Sequence, residues 1–172
     1  MLNLTKTALD GVLLLEPTTN FEDYRGSYVE IYNERHYHEA GLTQHFIQDD
    51  ISVSSRRVLR GIHGDDRTWK LVSCLHGSFY LVVVNNDPSS AEYRKWTAFT
   101  LSSTNKKQVL IPPRFGNGHL VMSDQAIFHY KQTTEYSRES QFTICWDDPG
   151  LKIWWPVKDP ILSIRDSSDG FS

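Results

Sequence analysis

The chain has 172 residues, 39% of them hydrophobic and 23% charged, which is the profile of a water-soluble globular protein of one-domain size. A net charge of -3 without a continuous basic face excludes a surface that neutralises a run of nucleic-acid phosphates. No apolar run approaches the roughly 18 residues that a membrane span needs. With no long apolar stretch in MLNLTKTALD either, the cytoplasm is the expected compartment, and the two cysteines, Cys74 and Cys145, far apart in apolar segments, read as reduced, buried thiols.

Eight Phe, eight Tyr, five Trp, seven Pro and ten Gly favour many short strands around an aromatic interior, and an all-β fold is expected. In chain order, GVLLLEP and YVEIYN read as strands, and Glu34 to Leu42 as one short helix closed near Gly41. Strands are then expected in FIQDDISVS and VLRGIHG, in KLVSCLHGSFYLVVV divided at Gly77, in WTAFTLSS, QVLIPP, GHLVM and AIFHYKQT, and in FTICW. The total is about ten, and alternating polar and apolar positions predict a sheet with two differently used faces. No linker, low-complexity segment or repeat divides residues 1–172, so a single domain is expected. ILSIRD is expected to dock on that domain and the last residues to fray.

The densest chemistry lies in VLRGIHGDDRTWKLVSC. If GDDRT is a hairpin loop, His63 and Lys70 project into one cavity from neighbouring strands, as a base beside an electrostatic stabiliser. Gly61 between Arg60 and His63 suggests a bulge that lets both share a face. The same three residues also read as two solvated charges and a hydrogen-bonded core histidine. In AIFHYKQTTEY, Phe128 and Tyr130 fall on one strand face and Ile127, His129 and Lys131 on the other. Tyr130 is then either a proton donor or a packed core tyrosine.

The seven histidines offer only loose pairs, His36 with His38, His119 with His129 and His63 with His76, none of which makes a metal signature. No dinucleotide fingerprint, P-loop or nucleophile elbow occurs.

Several ordered motifs, DYRGSYVEIY, FIQDDIS, VLRGIH with WKLVSCLHG, YRKWTAFTLS, QVLIPPRFGNGH, YKQTTEY, CWDDPGLKIWWP and PILSIRD, resemble the dTDP-4-dehydrorhamnose 3,5-epimerases and related nucleotide-sugar epimerases. The likeness runs from Gly11 to Asp166. It implies a cupin-type double-stranded β-helix jelly roll with one or two short helices, acting without cofactor or metal in nucleotide-sugar metabolism. By the same resemblance His63 matches the catalytic base, Asp166 the carboxylate that orients it, Tyr130 the opposing acid, and Lys70 the lysine near the 4-keto oxygen. Arg25 and Arg60 match diphosphate-binding residues, and Tyr136 matches an aromatic beside the nucleobase. Tyr28, Glu30 and Gln48 fall on nucleotide-pocket positions, part of which a neighbouring subunit supplies. A homodimer with exchanged edge strands is therefore implied.

The chain departs from that pattern at FGNGH. Rhamnose-pathway members read roughly FAHGF with a second active-site histidine, so Asn117 stands at that position and His119 two residues on. The tight HGDDRTWK connection and Asp50 in the QDD segment resemble the branch that acts on GDP-linked 4-keto heptoses. A 3,4-ketoisomerase on the same substrate class and a non-catalytic nucleotide-sugar binding protein are the competing readings. Product analysis and solvent exchange separate them from an epimerase.

Overall fold

The computed structural model describes residues 2–18 and 20–167. Among them lie β1 (Asn3–Lys6), β2 (Leu13–Glu16), β3 (Asn20–Asp23), β4 (Gly26–Val29), α1 (Glu34–Glu39), β5 (Gln48–Ser55) and β6 (Leu59–Gly64). They are followed by β7 (Lys70–His76), β8 (Ser78–Asn85), β9 (Trp96–Ser102), β10 (Gln108–Ile111), β11 (Phe115–Val121), β12 (Gln125–Gln132) and β13 (Phe142–Thr143), with one 3₁₀ turn at Arg138–Ser140. A six-stranded sheet, β1-β2-β10-β7-β12-β5, faces a five-stranded one, β13-β6-β11-β8-β9, while β3 and β4 form a separate hairpin. All these pairings are antiparallel, and the result is the cupin-type jelly roll that the resemblance implied.

The strands not anticipated are β1 and β3. Both are short and polar and gain their hydrogen bonds from β2 and β4, so no apolar pattern of their own announces them. The helix is also shorter than expected. Asn33 caps its start by accepting from the His36 N–H, and Gly41 at φ 100° turns the chain away before Leu42.

Strict alternation holds on β5, an edge strand with one wetted face. It fails on β7, β8 and β11, which are buried on both faces. Between the sheets lies a core around Val72, Phe79, Leu81, Val109 and Phe128. On the far side of the five-stranded sheet Leu59, Ile62 and Leu120 meet Ile144, Leu151 and Trp155 of the C-terminal segment. On the far side of the other sheet Leu15, Leu71 and Leu110 meet Tyr37 and Leu42 at the helix. Each such side chain contributes about 1.5–3 kcal/mol on leaving water, and this three-layer burial holds the facing sheets together.

Gly77, at φ 69°, does divide the long apolar run, but the two halves enter different sheets and so do not pair. The docking of the C-terminal segment is as expected. Val58 and Ile161 form a parallel bridge, the Leu59 N–H donates to Ile161 O at 3.0 Å, and the Ile161 N–H to Arg57 O at 2.8 Å. Residues 168–172, where fraying was expected, lie outside the described residues.

β6 passes very close to β11. Gly61 sits at φ 119°, and a Cβ there would lie 2.5 Å from Gly118 Cα and 2.6 Å from Asn117 O. Both the backbone conformation and the space require glycine. Gly61→Ala is expected to lower stability by about 2 kcal/mol or more, read as a fall in the urea midpoint. An unchanged midpoint would show that the two strands can part at no cost.

Candidate active site

The sheets leave between them a cavity of about 490 Å³, within the range of small-molecule sites. Its wall includes His63 and Arg60 from β6, Lys70 from β7, Asn117 and His119 from β11, and Phe128 and Tyr130 from β12. His63 and Lys70 do meet there, but from opposite sheets. The loop between β6 and β7 crosses the barrel and is no hairpin, because the Asp65 carboxylate accepts from the Arg67 and Thr68 N–H groups and turns the chain across. The bulge at Gly61 is present as a register shift between Asn117, opposite His63, and His119, opposite Arg60. With that extra residue Arg60 and His63 both line the cavity.

His63 Nε2 lies 2.6 Å from Asp166 Oδ1, a residue 103 positions later. The other carboxylate oxygen, Oδ2, accepts from the Gly61 N–H at 3.3 Å and from the Ser163 hydroxyl at 3.1 Å. Burial by itself raises the Asp166 carboxyl. His63, Gly61 and Ser163 outweigh it and hold the group below the usual carboxylate range. An ionised Asp166 keeps the proton on Nε2, so the lone pair of a neutral His63 is on Nδ1.

Lys70 is only 7% exposed, and its ammonium donates to Asn117 Oδ1 at 3.2 Å. Burial pulls its pKa down to about 8. Tyr130 is pushed the other way, up to about 12, first by burial and then by the negative field of Asp50 and the nearby Tyr136. It therefore retains its proton through the neutral range. Its strand face is the one expected, because His129 and Lys131 point oppositely and share Asp49 at 2.9 and 2.8 Å. Across the cavity His119 stacks flat on Phe128, with ring centres 4.0 Å apart.

Sequence reasoning missed Ser52, Arg138, Gln141, Ser163, Ile164 and Arg165, which also line the cavity. Arg165 adjoins Asp166 and could have been found from that neighbour, whereas Arg138 stands in a polar loop that carries no signal. Arg60 bonds Ser54 Oγ and Arg165 bonds Gln141 and Thr143, all neutral partners. Among the described residues Arg60, Lys70, Arg138 and Arg165 have no carboxylate ion-pair partner. Four such cations around one concave site make it an attractor for anions.

Tyr136 lines the cavity, and its N–H donates to Gln48 Oε1 at 3.0 Å, so Gln48 stands behind it instead of facing the space. Arg25, Tyr28 and Glu30 are not brought to the cavity of their own chain. Arg25 pairs with Asp23 in the β3–β4 turn, Tyr28 is 66% exposed on the hairpin, and Glu30 accepts from His36 Nδ1 at 2.8 Å. The cysteines are unpaired, with Cys74 buried as expected and Cys145 only partly so. Among the described residues no three His, Cys, Asp or Glu side chains gather as a metal-ligand set, and no helix is long and apolar enough to cross a membrane.

The jelly roll encloses a carboxylate-held imidazole, a retained phenol proton and an electropositive wall, and its relatives place it in the class of nucleotide-sugar isomerases. Comparison with known proteins specifies it further. The profile of the dTDP-4-dehydrorhamnose 3,5-epimerase family matches residues 6–170, and the chain belongs to that family. It is similar to the dTDP-4-dehydrorhamnose 3,5-epimerase of Escherichia coli K12, with 42% identity across 96% of this chain and 91% of that protein. Of solved structures it is similar to the Legionella pneumophila epimerase in complex with dTDP-4-keto-L-rhamnose, with TM-score 0.91, 37% identity, and coverage of 96% and 90% of the two chains. The Bacillus anthracis enzyme with TDP and PPi bound gives TM-score 0.92 and 32% identity over 96% and 97%.

The buried ammonium works against the fold. Between pH 8 and the ordinary lysine pKa the unfolded chain binds more protons at this position, so the Lys70 contribution to stability rises with pH across that window. Lys70→Met is expected to be more stable than the wild type at pH 7 by about 2 kcal/mol, with the gap closing above pH 8. Chemical denaturation at pH 7 and pH 10 checks this, and a variant less stable at pH 7 contradicts it.

Proposed function

We propose that the chain works as one epimerase domain on a nucleoside-diphosphate-linked 4-keto sugar, a 6-deoxyhexose or a heptose, in making a glycan precursor in the cytoplasm. The observation that carries this reading is the convergence of the His63–Asp166 pair, Tyr130 and the Lys70 ammonium on one cavity. A hydrogen on the carbon beside a ketone becomes removable when the developing oxyanion is stabilised, and a buried ammonium supplies that stabilisation in a water-poor site. His63 Nδ1 takes the proton from C3 or C5 as the C–H electrons pass to the 4-oxo oxygen near Lys70. Asp166 holds the imidazolium so formed. Tyr130 returns a proton to the opposite face of the same carbon as the enolate collapses to the ketone. The ketone already acidifies both positions, so position and electrostatics suffice for the reaction.

Arg60, Arg138 and Arg165 are the groups for the diphosphate, and Tyr136 for the nucleobase. The TDP and PPi bound by the Bacillus anthracis relative and the dTDP-sugar bound by the Legionella pneumophila relative support this class of ligand. The exposed β3–β4 hairpin carries Phe21, Tyr24 and Tyr28, at 69%, 98% and 66% exposure, beside Arg25. Such an exposed apolar finger suits insertion into a second copy, so the working unit is a homodimer in which Arg25, Tyr28 and Glu30 serve the neighbour's nucleotide pocket.

In deuterated water, with dTDP- or GDP-linked 4-keto sugar, label is expected at C3, C5 or both, with the carbonyl remaining at C4. His63→Ala should lower exchange by about 10²–10⁴-fold. Tyr130→Phe should permit washout while losing the inverted product. No exchange from either nucleotide series, or a carbonyl moved to C3, would remove the epimerase reading. A pH series adds a second check: kcat/KM should fall as pH rises through about 8, where Lys70 of the free enzyme loses its charge.

A further inference from the structure

One part of the cavity has no task in the scheme above. His119 is 4% exposed and belongs to the wall, yet its ring makes no hydrogen bond with any described residue. It lies flat on Phe128 and has Phe79 at 5.2 Å, in a setting where a phenyl ring would stack equally well without bringing two ring nitrogens into an apolar core. Ser52 also lines the cavity, and its hydroxyl oxygen is buried without a partner. Ser52 sits directly across from Phe128 in the β5–β12 register, so its side chain and the His119 ring flank the same phenyl group. Ser54, two residues on, is satisfied by Arg60. Of the buried side-chain atoms without a partner among the described residues, the Ser52 hydroxyl is the one that belongs to the cavity wall.

Resting on the epimerase reading of the cavity, we infer that His119 and Ser52 form a specificity subsite that hydrogen-bonds a hydroxyl group of the bound sugar. Burial, with Arg60 and His63 adding to it, lowers the His119 pKa to about 3, so the ring is neutral and presents one donor and one acceptor. That pairing suits a hydroxyl, which both gives and takes a hydrogen bond. A phosphate or carboxylate is better served by Arg60, Arg138 and Arg165. Two strand positions separate this platform from the level of Tyr130, His63 and Asn117, the level at which the proposed scheme puts the 4-oxo group. The hydroxyl is accordingly on a carbon flanking that centre, either at C3 of the ring or on the exocyclic carbon beyond C5.

The test uses the full-length protein and unreactive ligands. Binding of dTDP- and GDP-linked glucose, 6-deoxyglucose and 3-deoxyglucose is measured by calorimetry for wild type, His119→Phe, His119→Gln and Ser52→Ala. Wild type should bind glucose about tenfold tighter than one of the two deoxy sugars, and the sugar that loses affinity identifies the hydroxyl. His119→Phe, which keeps the stack, should erase that preference, and His119→Gln, neutral and hydrogen-bonding, should restore part of it. Ser52→Ala should reduce it. Equal affinity of wild type for all three sugars, or an equal loss on all three in His119→Phe, overturns the inference and leaves water as the partner of both groups. Because these ligands carry no ketone, the outcome is independent of turnover. Failure of the epimerase reading would instead appear as absent deuterium exchange in the wild type.

Discussion

The bond between His63 and Asp166 organises more of this molecule than its length suggests. One partner comes from β6 in the five-stranded sheet, the other from the C-terminal segment folded against the outside of that sheet. The two can be 2.6 Å apart only if Ile161 bridges Val58, if Leu151 and Trp155 seal the sheet's outer face, and if β6 lies close enough on β11 to demand glycine at 61. A polar contact is thus held in place by apolar packing around it. The same contact decides which imidazole nitrogen is free.

A second constraint is electrostatic. An apolar barrel resists charge, and the wall nevertheless carries an ammonium and three guanidinium groups with neutral hydrogen-bond partners or none. Among the described residues none of the four pairs with a carboxylate, so an anionic ligand completes the site. The Lys70 ammonium shows the tension most plainly, because burial draws its pKa to about 8 while the proposed chemistry needs the proton on it. A site selected for stability alone would place a methionine or leucine there.

The pattern of short apolar runs and turns made the all-β class legible, and GVLLLEP, QVLIPP and AIFHYKQT fall on strands as read. The split at Gly77 and the bulge at Gly61 were legible too, since a glycine within a strand pattern marks a place where the backbone must do something a side chain forbids. The polar strands β1 and β3 were not, because their pairing comes from partners elsewhere in the chain. The burial of β8 on both faces likewise depends on what covers each face, which a local period cannot report.

Of the site, the sequence by itself determined the chemical inventory: an imidazole and an ammonium seven residues apart, a tyrosine on a defined strand face, and an order of motifs that identifies the family. Tertiary structure decided which of these meet. It sent His63 and Lys70 to opposite sheets facing one cavity, recruited Arg138 from a loop without a signal and Arg165 from beside Asp166, left Arg25, Tyr28 and Glu30 outside their own chain's cavity, and set His119 on Phe128 with its nitrogens free. Periodicity reports the direction of a side chain from its own strand, whereas a cavity is bounded by residues up to 114 positions apart, from Ser52 to Asp166, whose nearness exists only after the sheets have closed.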